Sequence, residues 1–165
     1  MNDADQSVYD GLRRQMFELD PADAGLSGEG QPGGVWGVVY ELGLPAATVT
    51  VIALADGTTS LYTTGGFGII GGGAHPAVVV ANRKLREAVA DQLGAFRPDA
   101  GTAPPAADDL RVRALTTGGR QVADAAQADL LDGTHPLADL FFAGHAVISE
   151  LREIHQVSEG DETGR

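Results

Sequence analysis

The sequence predicts an α+β fold: an antiparallel sheet of about five strands, two long helices packed on one face of it, and a short N-terminal helix. Three observations point there. Short apolar runs are bounded by turn residues such as Asp56-Gly57 and Gly118-Gly119, the signature of hairpins. Two later stretches carry apolar residues at helical spacing. The chain has 165 residues, 43% of them hydrophobic, enough for one buried core and tight for two. Residues 1–165 are therefore read as a single domain.

A short helix is expected over residues 7–19, where Val8, Leu12 and Leu19 share a face and Ser7 can cap the start. Asp20-Pro21 ends it. Residues 20–34 are rich in Gly, Pro, Ala and Asp and read as a loop. Three strands follow, Val35–Leu42, Ala47–Leu54 and Thr58–Thr63, forming a meander. In the first, Trp36, Val38, Tyr40 and Leu42 alternate with Val35 and Val39, so both faces are apolar and the strand is expected to be covered on both. Glu41 stands out there as a carboxylate that burial would push up, or as a strand-end acid near Gly43.

Six glycines fall in the nine residues Gly65–Gly73, and His75-Pro76 then opens a helix to about Leu93. Its stripe is Val78, Ala81, Leu85, Val89 and Phe96. Arg83-Lys84-Leu85-Arg86 within it reads as a solvated face. Residues 97–109 read as a linker loop. Arg111–Thr117 and Arg120–Ala125 form a second hairpin, and Thr134-His135-Pro136 precedes a second long helix with the stripe Leu137, Leu140, Phe141, Gly144, Val147, Ile148 and Leu151. Residues 158–165 form a charged tail expected to be disordered.

Gly73-Ala74-His75-Pro76 and Gly133-Thr134-His135-Pro136 occupy matching places after their hairpins. One reading is an internal β-hairpin–helix duplication with pseudo-twofold symmetry; the other is coincidence of common turn chemistry. The element order resembles that of small helix-flanked antiparallel-sheet proteins of the roadblock or profilin kind, a likeness of layout that implies no function.

With no cysteine there is neither a disulfide framework nor a thiolate metal site. The formal net charge of −12 disfavours nucleic acid and anionic lipid and suits a basic protein partner. The acidic first residues and the lack of a long apolar run make a soluble, cytoplasmic protein the expectation. No spacing marks a metal, cofactor or catalytic set. Gly66-Phe67-Gly68-Ile69-Ile70-Gly71 spells a glycine fingerprint, but its strand closes a hairpin and opens no βαβ unit, which speaks against a dinucleotide.

The leading expectation is a non-catalytic protein-binding or regulatory module. Its contact would lie on a second stripe of the last helix, where Phe142, His145 and Ser149 stand with Ala138. An alternative is a binder of small anions or nucleotides, or an enzyme acting on them, built from Gly71, Gly72, Gly73 and His75 at a helix N-terminus. A third is a homo-oligomer, a homodimer being the simplest case.

Overall fold

The computed structural model describes residues 3–162. Helix α1 (Asp3–Glu18) leads into an irregular segment and a single 3-10 turn. Strands β1 (Val35–Gly43), β2 (Thr48–Leu54), β3 (Thr59–Thr63) and β4 (Gly68–Ile69) precede α2 (Pro76–Asp91). Then come β5 (Arg97–Pro98), β6 (Asp109–Thr116), β7 (Gly119–Ala126), α3 (Gln127–Leu130) and α4 (Ala138–Glu162). The strands form one antiparallel sheet of seven in the order β4-β3-β2-β1-β6-β7-β5.

The fold class is α+β as expected, with more strands than the five. The two extra ones, β4 and β5, are two-residue pieces at the outer edges. Such short strands show no alternation, so no sequence period reveals them. Among the described residues there are four α-helices rather than three; α3 is a single turn after β7.

The sheet is covered on both faces. Against one face α2 and α4 bury the larger core, including Val38, Tyr40, Val51, Leu85, Leu110, Leu140, Phe141 and Val147. Both helical stripes meet it: Val78, Ala81, Leu85 and Val89 from α2, and Leu140, Phe141, Gly144, Val147 and Leu151 from α4. On the opposite face α1 covers a smaller core of Leu26, Trp36, Val39, Ile52, Leu54 and Leu115. Every residue of β1 is buried, as a strand covered on both sides requires.

Three local expectations are corrected. A register shift between Val35 and Gly37 slips β1 against β6. Trp36 therefore joins Val39 under α1 instead of Val38 and Tyr40 under α4; a bulge moves a side chain to the other face. Arg86 is not on a solvated face. It is buried, with Nε donating to Asn82 Oδ1 and an Nη to Gln31 Oε1, both at 2.8 Å. Ala138 lies in the core, not on the outer stripe.

The internal duplication is not confirmed. Strands β2 and β6 both run antiparallel to β1 and so parallel to each other. A twofold axis perpendicular to the sheet would reverse one of them. An axis along β1 would keep their direction but send α2 and α4 to opposite faces, whereas both contribute to one core. The two His-Pro turns differ as well. His135 Nδ1 accepts from the Leu137 amide at 3.0 Å, while His75 makes no side-chain capping bond.

Candidate functional site

The helical turn of glycines packs against the β2–β3 hairpin. Gly71 has φ +84°, a left-handed conformation that favours glycine. A Cβ on Gly72 would lie 2.6 Å from Leu151 Cδ2 and 2.9 Å from the Thr59 carbonyl oxygen. A Cβ on Gly73 would lie 2.8 Å from the Gly57 carbonyl oxygen. Close packing thus gives these glycines a structural purpose at the start of α2. His75 lines a shallow depression beside Glu150 and Glu153, whose charges would oppose an anion there.

On α4, Phe142 is 46% exposed and Ser149 is exposed. His145 is half-buried, its ring edge-on to Phe141 with centroids 4.5 Å apart and to Tyr40 at 6.4 Å. Burial holds its imidazole below the usual value, which keeps it neutral at physiological pH. So Phe142 and Ser149 face outward from the same helix, while His145 is turned partly into the core.

The most elaborate arrangement lies under α1 and centres on Glu41, fully buried in β1. The register places Thr50 opposite it on β2 and Arg111 opposite it on β6, so Arg113, two residues on, shares its face. Arg113 Nη1 donates to Glu41 Oε2 at 3.0 Å. From α1, Arg13 donates through Nε and Nη2 to both carboxylate oxygens at 2.8 and 3.0 Å. Thr50 donates to Oε1 at 2.8 Å, which makes Tyr9 the donor in its 2.7 Å bond to Thr50. Burial pushes the Tyr9 phenol up to about 12, so it keeps that proton. Glu41 is thus a buried carboxylate held by two guanidiniums, not a strand-end acid.

The cluster continues outward. Arg113 Nε and Arg120 Nε both donate to Asp99 Oδ2, at 2.8 and 3.1 Å. Arg113 Nη2 reaches the Ala103 carbonyl at 2.8 Å. The stretch 97–109 is therefore pinned to the sheet by arginines. Asp124 accepts from Arg97 and Arg111 in the same way. Phe17 lies among three guanidiniums, with those of Arg13, Arg113 and Arg120 at 5.1, 5.1 and 4.9 Å from its ring centre. Sequence reasoning singled out Glu41 but not its partners; Arg13 and Arg113 lie 28 and 72 residues from it, and no local spacing joins them.

This cluster makes stability depend on acid. Burial alone would push the Asp99 carboxyl up, but hydrogen bonds from Arg113 and Gly101 and the charges of Arg113 and Arg120 hold it below its ordinary 3.8. A carboxyl lowered by folding stabilises the fold above its unfolded value and loses that contribution as pH falls through the folded one. Urea midpoints should accordingly hold steady near neutrality and fall below about pH 4. Asp99→Asn should flatten that limb of the profile.

A third feature lies at the open edge of the sheet. Val8, Phe67 and Ile70 are 63%, 45% and 76% exposed. They surround a depression of about 270 Å³ that Tyr9, Leu12 and Tyr62 also line. Strand β4 borders it, bonded to β3 on one side only. Asp5 stands against Gly66 at the same place.

No family model, curated protein or solved structure matches this chain. No helix among the described residues is long and apolar enough to cross a membrane.

Proposed function

We propose that this chain is a non-catalytic protein-binding module that captures an extended basic and apolar segment of a partner along the β4 edge. The observation that carries the proposal is the grouping of Val8, Phe67 and Ile70 around one depression beside an edge strand. Large apolar side chains exposed together mark contact surfaces more often than scattered ones do. An open strand edge can pair with the backbone of an extended peptide, and alternate side chains of that peptide would then enter the adjoining depression. Gly68 presents no side chain on β4, and at Gly66 the carboxylate of Asp5 stands where a Cβ would sit. The net charge of −12 and the carboxylate of Asp5 favour Lys or Arg in the incoming segment.

Random peptides displayed on phage and selected against the full chain test this reading. The expected winners alternate aliphatic residues with Lys or Arg and shift the backbone amide resonances of residues 66–70. Ile70→Asp should weaken them roughly tenfold, because it places a charge where an apolar side chain must dock. Selection of no peptides would overturn the proposal. So would peptides whose shifts fall instead on α4 around Phe142 and Ser149; that outcome favours the helical face, and with it a homodimer or a helix-docking partner.

A further inference from the structure

A cavity of about 520 Å³ lies between α1 and the segment after β5, and nothing assigned so far uses it. Its volume suits a small molecule. Arg13 and Phe17 of α1 and Arg120 are its more buried lining, and Asp10, Arg14, Glu18 and the exposed Thr102 complete it. The guanidiniums are held in place. Arg13 spends Nε and Nη2 on Glu41, and Arg120 spends Nε and Nη2 on Asp99 and the Gly101 carbonyl. Among the described residues neither Nη1 has a hydrogen-bond partner. No fully buried side-chain nitrogen is left unpaired either, so both Nη1 groups reach solvent. The two side chains are only 10% and 19% exposed, which leaves little solvent to satisfy them.

Charge decides the class of ligand. Behind the cavity three guanidiniums, of Arg13, Arg113 and Arg120, share two carboxylates, of Glu41 and Asp99. One positive charge is uncompensated. Asp10, Arg14 and Glu18 follow one another at i,i+4 spacing on α1 and leave one net negative charge beside it. A single carboxylate matches the inner surplus, and guanidinium nitrogens suit its two oxygens. A phosphate dianion or a polycarboxylate would bring further negative charge against Asp10 and Glu18. Phe17 offers an apolar surface for the body of the molecule. We infer that this cavity binds a small monocarboxylate with an apolar or aromatic body, whether a simple acid or an amino acid whose ammonium is met by Asp10 and Glu18. This inference does not depend on the β4 edge.

The test is a titration of the full chain with benzoate, phenylalanine, inorganic phosphate and citrate, followed by nuclear magnetic resonance at low salt. Benzoate or phenylalanine should saturate at millimolar concentration or below and shift the resonances of Phe17 and Thr102. Phosphate and citrate should bind at least roughly tenfold more weakly. Thr102→Trp, which fills the cavity from a side chain outside the arginine network, should abolish the shifts while leaving the circular dichroism spectrum unchanged. Arg120→Lys keeps the charge but loses the planar fork, and should weaken binding roughly tenfold. Absence of saturation by any monocarboxylate overturns the inference, as does tighter binding of phosphate or citrate. Saturation that survives in folded Thr102→Trp overturns it too.

Discussion

Glu41→Gln will destabilise the protein by about 3–5 kcal/mol, the usual cost of removing one partner from a buried ion pair. Two guanidiniums, Arg13 and Arg113, donate to this carboxylate; Arg113 would keep Asp99, but among the described residues no other carboxylate bonds Arg13. Glutamine keeps the shape but turns one acceptor into a donor facing those donors. The loss is large against a total stability of about 5–15 kcal/mol for a domain of this kind. Urea unfolding followed by circular dichroism measures it; a loss below about 1 kcal/mol would mean that solvent had replaced the network. Hydrogen exchange should show α1 losing protection first. That helix is tied to the sheet through Tyr9–Thr50 and Arg13–Glu41, and Tyr9 and Arg13 are its buried residues. Replacing Arg13, Glu41 and Arg113 together with apolar residues should recover much of the loss, since an apolar set leaves no charge unpaired.

Gly144→Ala reverses the sign that helix propensity assigns. In an exposed helix interior, alanine in place of glycine stabilises by about 1 kcal/mol. Here the added methyl would overlap the Tyr40 ring, whose Cδ2 would stand 2.6 Å away with Cε2 and Cζ nearer still. Tyr40 cannot yield easily. It is fully buried, and its hydroxyl donates to the Phe141 carbonyl of α4 at 2.9 Å. The helix must instead lift from the sheet, so the expected net loss is about 2 kcal/mol or more, near the upper range for overpacking. Gly160→Ala is the internal control. It lies on the same helix, nothing stands within 4 Å of its added Cβ, and it should not destabilise. Gly144→Ala combined with Tyr40→Leu should recover part of the loss by making room.

The sheet, both long helices and most core positions were legible because each rests on a local pattern. Apolar runs bounded by turn residues marked β1 and β2, and the three-to-four spacing of Leu140, Phe141, Gly144, Val147 and Leu151 marked the buried face of α4. The slip at Trp36 was not legible. A bulge depends on what the neighbouring strand offers, and Gly37 lies where a Cβ would stand 2.9 Å from Leu54 and 3.0 Å from Leu115. Arg86 escaped for a related reason. Its burial depends on Gln31, 55 residues away, which accepts one of its protons.

The sites divide the same way. A tract of glycines and a pair of His-Pro turns are conspicuous in one dimension, yet folding gives Gly72 and Gly73 a packing purpose against Thr59, Gly57 and Leu151. The arginines under α1 look ordinary in one dimension, and folding gathers them around Glu41, Asp99 and Phe17. By itself the sequence determined the class of fold, the hairpins and the helical faces, because those follow from the polarity and backbone preferences of near neighbours. Only the tertiary structure decided which face of the sheet α1 covers, which charges meet beneath it and where a cavity is left open. Those outcomes depend on groups tens of residues apart being desolvated together, and a buried charge is tolerated only where the fold brings its partner to it.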